Sequence, residues 1–286
     1  MLRTEFLLLG RTELPSEDEQ TAYYSRIAAR FVGHPVVIRS YDLGGDKFPA
    51  PFRPQREPNP FLGWRAIRVC LDQPEMFRTQ IRAVMRARAS GDVRLMLPLI
   101  TEVEEVLRTR EHVEQVAEEL RKAGVPHEPD LPVGVMIETP AAAVMVEELA
   151  KHSDFLSVGT NDLTQYTLAV DRGNASLADR FTPFHPAVVR TLRRLVQVSN
   201  GTQRSVSVCG EMASEPKAAL LLLSLGYTDF SVAPPKLALV RWLAGKVDLR
   251  QLREVGEAVL QASTTQEVTN LVTEAVAGVV DPGLLK

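Results

Sequence analysis

A chain of 286 residues is long for one average domain and ordinary for an α/β barrel. Hydrophobic residues at 45% supply a large core, and a net charge of −3 with the basic residues scattered leaves no footprint for nucleic acid. Cys70 and Cys209 make no disulfide framework, no apolar run approaches the roughly 20 residues that span a bilayer, and the N-terminus lacks a signal-peptide pattern, so the chain reads as soluble and cytoplasmic.

Strands and helices alternate along the chain. Leu2 to Leu9 is apolar and strand-like. Ser16 with Glu19 forms a capping box that opens a helix ending near Gly33. Val36 to Tyr41 is the next strand, followed by a long polar loop to about Pro60. Arg65 to Leu71 and Glu75 to Ala89 read as helices, and Val93 to Ile100 as a strand. Thr101 and Glu104 cap a helix with Val103, Leu107, Val113, Ala117 and Leu120 at helical spacing.

Pro132 to Ile137 is a strand, and Thr139-Pro140 starts a helix running to about Lys151. Phe155 to Val158 is a strand that stops abruptly at Gly159. Pro186 begins a helix, Val206 to Cys209 is a strand, and Glu215 to Leu225 is a helix closed by Gly226. Phe230 to Val232 is the last short strand. Such apolar, regularly alternated strands imply a parallel sheet, and the repeat favours a TIM-type (β/α)8 barrel forming a single domain over 1–286.

Polar residues collect at the strand ends, which a parallel barrel brings to one face. Arg3 lies in the first strand, and Arg39 precedes Asp42-Leu43-Gly44-Gly45-Asp46-Lys47. Glu138 follows one strand directly. Asn161 and Asp162 follow another, with Arg172 ten residues beyond Asp162, and Cys209 ends a third. Two carboxylates suit a sparse Mg²⁺ site open to water and phosphate, and guanidiniums fork onto phosphate or carboxylate. Each element has a plainer reading: Glu138 as a helix N-terminal acid, Arg65 and Arg68 as solvated helix charges, Lys47 as a turn residue, Cys209 as a small buried hydrophobe. The five histidines form no ligand spacing and receive no role.

Six ordered motifs then carry a resemblance over essentially the whole chain. They are Leu2-Arg3-Thr4-Glu5-Phe6, Asp42-Leu43-Gly44-Gly45-Asp46-Lys47, Asn59-Pro60-Phe61-Leu62-Gly63-Trp64-Arg65, Gly134-Val135-Met136-Ile137-Glu138-Thr139-Pro140, Gly159-Thr160-Asn161-Asp162 and Cys209-Gly210-Glu211. Together they resemble the PEP-utilising enzymes, and within them the C-terminal PEP-binding barrel of the enzyme I family of the bacterial sugar phosphotransferase system. The resemblance implies Mg²⁺ on Glu138 and Asp162. It also implies Arg3, Arg39, Lys47 and Arg172 around the phosphoryl group, a hydrogen bond from Asn161, Arg65 at the pocket edge, and Cys209 as the acid that protonates enolpyruvate. Transfer to a protein histidine, a histidine carrier protein as onward partner, and a homodimer follow from it.

The motifs also depart from that family. The phosphoryl-accepting histidine domain has no counterpart in this sequence, and Val232-Ala233-Pro234-Pro235 replaces a more serine-rich turn. Seven strands stand where a closed barrel has eight. By resemblance Leu2 to Phe6 belongs to the second strand, so the first strand and its helix are missing. Exposed strand edges would then make these 286 residues less soluble or less stable than a version extended upstream. Two other functions fit the same motifs: a fragment of a pyruvate phosphate dikinase or PEP synthase, separated by use of adenine nucleotide, and a non-catalytic PEP sensor or dimerisation module.

Overall fold

The computed structural model describes residues 1–8, 11, 13–44 and 57–278. They form an α/β protein whose strands are parallel, and they divide into two compact units. The first unit contains Met1–Met136 with His152–Phe155, and the second Ile137–Lys151 with Leu156–Lys286.

In the first unit the order is α1 (Glu17–Ala28), β1 (Val36–Arg39), α2 (Ile67–Asp72), α3 (Pro74–Ala87), β2 (Val93–Leu97), α4 (Val103–Lys122) and β3 (Val133–Ile137, whose last residue belongs to the second unit). The expected capping box forms: the Glu19 N–H donates to Ser16 Oγ at 3.2 Å, and the Ser16 N–H donates to Glu19 Oε2 at 2.8 Å. β1, β2 and β3 pair in parallel with Ile38 beside Leu95 and Leu97 beside Val135. These side chains are fully buried, as expected of strands covered on both faces. α1 and α4 each pack against α3.

Of the strand expected over Leu2–Leu9, Leu9 lies outside the described residues and no strand forms over Leu2–Leu8. Leu2 alone bridges Ile38 in parallel, its N–H donating to the Val37 carbonyl and its carbonyl accepting from the Arg39 N–H. The chain then winds into a 3-10 turn over Thr4–Leu7. The Thr4 hydroxyl donates to the Arg39 carbonyl at 3.0 Å, and Glu5 accepts from the Arg39 side chain and the Asp42 N–H. Those bonds outweigh the local apolar pattern, and Phe6 is left exposed.

Other departures are smaller. Helix α4 is capped one residue later than expected, because the Glu105 carboxylate accepts from the N–H groups of Thr101 and Glu102. Its buried face is Val106, Val113, Val116 and Leu120, and Leu107 is exposed. The helix expected from Pro140 to Lys151 divides at Met145 into α5 (Pro140–Val144) and α6 (Val146–His152). Met145 leaves helical geometry at φ −90° and ψ 13°, although i to i−4 bonds continue across it.

Gly134 in β3 is required by packing. A Cβ there would overlap the edge of the Phe155 ring, whose side chain is itself buried. Gly134→Ala should therefore cost about 1–3 kcal/mol through overpacking. The measurement is a thermal melt, with Phe155→Leu added to the same chain. Recovery of the midpoint in the double variant identifies the ring as the obstacle, and an unchanged single variant removes the argument.

The second unit contains α5, α6, β4 (Phe155–Gly159, whose first residue belongs to the first unit), α7 (Thr160–Leu168), α8 (Pro186–Thr202), β5 (Val206–Cys209), α9 (Pro216–Leu225), β6 (Asp229–Phe230), α10 (Leu237–Ala244), α11 (Leu249–Gln261) and α12 (Thr265–Ala277). β4, β5 and β6 are parallel, with Ser157 beside Ser207 and Gly159 beside Cys209. α9 closes at Gly226 as expected, and α11 and α12 pack on it. β6 is shorter than Phe230–Val232 suggested, and one further bond runs from the Ser231 N–H to the Val208 carbonyl. The described residues hold six strands, and none of their helices is long and apolar enough to cross a membrane.

Candidate active site

In the second unit β4 passes straight into α7. Asn161 and Asp162 follow the strand as expected and stand in the first turn of a helix. An acid in a first helical turn is stabilised by the free N–H groups and the helix dipole. Helix α7 ends at Ala169 in the left-handed conformation (φ 53°), and the Arg172 N–H donates to Gln165 Oε1 at 3.1 Å. The reversal brings the Arg172 guanidinium back to Asp162, Nη1 to Oδ2 at 3.4 Å. Glu138 follows β3, directly before the Thr139 N-cap of α5, and α5 packs on α7. Both carboxylates are nearly buried, Glu138 at 3% exposure and Asp162 at 8%.

Asn161 does something the sequence did not suggest. Its Oδ1 accepts from the Glu211 N–H at 3.0 Å and its Nδ2 donates to Glu211 Oε1 at 3.4 Å, joining α7 to the turn after β5. The Thr160 hydroxyl adds a bond to the Cys209 carbonyl at 3.1 Å. Between them lies Gly210 at φ 105°, a backbone state that favours glycine, where a Cβ would also meet Thr160 Oγ1. The motif Cys209-Gly210-Glu211 held the signal for this joint.

Cys209 is buried at the end of β5. Its thiol donates to the Val158 carbonyl at 3.3 Å and accepts from the Ser157 hydroxyl at 3.5 Å, and Ser157 in turn accepts from Ser207 at 3.0 Å. Cys70 differs: in the first unit, it is fully enclosed, and burial pushes its thiol up to about 12, which leaves it inert.

The first unit gathers a second polar group around Asp42, which is 4% exposed. Arg65 donates to Asp42 Oδ1 from Nη2 at 2.7 Å and from Nε at 3.1 Å. Arg39 reaches Asp42 Oδ2 at 3.3 Å and Glu5 Oε1 at 2.7 Å. Arg65 is therefore a buried cation and not a solvated helix charge, and it lies over the Phe61 ring at 5.7 Å. An antiparallel bridge between Gly44 and Arg65 and a bond from the Ala66 N–H to the Leu43 carbonyl hold its backbone. Arg3 precedes the 3-10 turn and is exposed, outside this cluster. Lys47, with Gly45 and Asp46, lies outside the described residues.

Among the described residues no three or more His, Cys, Asp or Glu side chains converge as a metal cage. Glu138 and Asp162 are each a hard oxygen donor of low exposure, on the packed helices α5 and α7 or directly before them.

The second unit thus carries two buried carboxylates and a strand-end thiol, and the first carries two guanidiniums gathered on Asp42, all in a parallel α/β protein. The sequence profile described as PEP-utilising enzyme, PEP-binding domain, matches residues 1–249, and the chain belongs to that family. Among proteins called phosphoenolpyruvate-protein phosphotransferase, those of Haemophilus influenzae and Bacillus subtilis are each 40% identical over 274 residues, covering 96% of this chain and 48% of theirs. That of Geobacillus stearothermophilus is 40% identical over 272 residues, covering 95% of this chain and 47% of its own. The chain thus spans about half the length of the curated relatives it matches.

Proposed function

We propose that this chain is the PEP-binding part of a phosphoenolpyruvate-protein phosphotransferase, passing the phosphoryl group of PEP to a histidine on a separate domain. In this reading it acts in the cytoplasm as a homodimer and serves sugar uptake through a histidine carrier protein. Residues 1–286 form one PEP-binding domain built as a TIM-type barrel. The parallel order of the six strands and the single parallel bridge of Leu2 to Ile38 at the edge of β1 support this reading.

Glu138 and Asp162 would hold Mg²⁺, which would supply positive charge to offset that of the bound phosphate. Arg172 turns from Asp162 toward the phosphoryl group as substrate arrives. The roles of Arg3, Arg39, Lys47 and Arg65 rest on the family motifs they stand in: their guanidinium and ammonium groups are the kind that bind a phosphoryl anion. Asn161 contributes a hydrogen bond and keeps the Glu211 turn in place. Cys209 delivers its proton to the methylene carbon of enolpyruvate, giving pyruvate. The observation that carries this reading is the Arg172 guanidinium folded back onto the buried Asp162 carboxylate, in the same unit as Glu138.

Calorimetric titration of PEP tests it. Binding should require Mg²⁺ and vanish with EDTA, and Glu138→Gln or Asp162→Asn should weaken PEP at least tenfold at fixed Mg²⁺. Equal affinity with and without EDTA removes the metal assignment.

A further inference from the structure

Three side chains on one face of the second unit's sheet form a hydrogen-bonded line that ends at the Cys209 thiol. Ser207 and Cys209 are two residues apart on β5 and therefore share a face, and Ser157 on β4 stands in register with Ser207. The Ser207 hydroxyl donates to Ser157 Oγ at 3.0 Å, and the Ser157 hydroxyl donates to Cys209 Sγ at 3.5 Å. Burial falls along the line: Cys209 and Ser157 are both 3% exposed, whereas Ser207 is only half-buried. Every donor in the line points toward sulfur. Apolar strands have no packing need for two serines in these positions, and the other face of the same strands carries Leu156, Val158, Val206 and Val208.

A thiol that gives its proton to carbon becomes a thiolate in a buried place and must be reloaded before the next turnover. We propose that Ser207 and Ser157 are a relay that returns a proton to Cys209. The inference rests on the proposed role of Cys209 as the carbon acid. After the thiol proton has gone to the enolpyruvate carbon, the Ser157 hydroxyl passes its proton to the thiolate and takes one from Ser207, which takes one from solvent. One proton enters from water for each one delivered to carbon, and no electron moves. Both serines act through the thiol and are positioning residues that do not touch substrate.

The test is exchange of the pyruvate methyl protons with deuterated water, followed by NMR on the full chain with Mg²⁺ and pyruvate. This is the reverse of carbon protonation and reads reloading of the sulfur directly. Ser207→Ala should slow exchange about tenfold with pyruvate affinity unchanged. Ser207→Thr, which restores a hydroxyl, should return it, and a small diffusible acid such as imidazole should rescue the alanine variant in proportion to its concentration. Ser157→Ala is the second variant, its folding checked by thermal melt. Exchange at the parent rate in both alanine variants overturns the relay and leaves the Cys209 assignment standing. Slowing that neither threonine nor imidazole relieves makes the serines structural and also overturns it. No exchange by the parent chain, or exchange that survives Cys209→Ala, overturns the Cys209 assignment and the relay with it.

Discussion

Cys209→Ala should stop net pyruvate formation when the chain is supplied with a histidine domain and PEP, while PEP binding survives. The thiol lies at the end of β5, donating to the Val158 carbonyl at 3.3 Å and accepting from the Ser157 hydroxyl at 3.5 Å. A neutral thiol is the state needed to protonate carbon, and a positioned acid contributes about 10²–10⁴-fold to such a step. Cys209→Ser keeps a donor of similar shape but should recover little activity, since an alcohol is a far weaker acid than a thiol. The assay is pyruvate release, with calorimetric PEP binding as the control. Turnover by Cys209→Ala equal to the parent chain makes the thiol a packing residue like Cys70.

Much of this arrangement was legible in the sequence wherever local chemistry decides. The Ser16 and Glu19 pair marks the start of α1, Gly226 the end of α9, and the short apolar runs ending at Glu138 and Gly159 mark strands. What failed depends on contacts distant in the chain. Leu2–Leu9 reads as a strand because its apolar pattern is local, whereas the bonds from Thr4 and Glu5 to residues 35 and 34 positions away wind it into a turn. The same cause hides Asp42, which in sequence is one acid in a glycine-rich loop and in the fold anchors two arginines. Ser157 and Ser207 were legible only as polar interruptions of apolar strands, and their spacing relative to Cys209 becomes meaningful once β4 and β5 are in register.

Asp42→Ala should cost about 3–5 kcal/mol of stability, because it leaves buried positive charge without its nearest carboxylate. Asp42 is bonded by Arg65 through Nε and Nη2 and by Arg39 through Nη2, and all three side chains are largely enclosed. Arg39 retains Glu5 at 2.7 Å, so the loss falls chiefly on Arg65. At roughly 2–4 °C per kcal/mol for a chain segment of this size, the melting midpoint should fall by about 10 °C. Adding Arg65→Met to Asp42→Ala should recover a large part of that loss, since an apolar side chain of similar length does not need a partner. A single variant that melts within a degree or two of the parent removes the argument. The same proteins also examine the substrate role of these arginines. Excess PEP stabilises whatever state binds it, by about 2.7 kcal/mol at a hundred times its dissociation constant. If Arg39 and Arg65 receive the phosphate, PEP with Mg²⁺ should raise the Asp42→Ala midpoint, and the rise should shrink in the Arg65→Met double variant. A rise of the same size in both would place Arg65 in the scaffold and outside the PEP contacts.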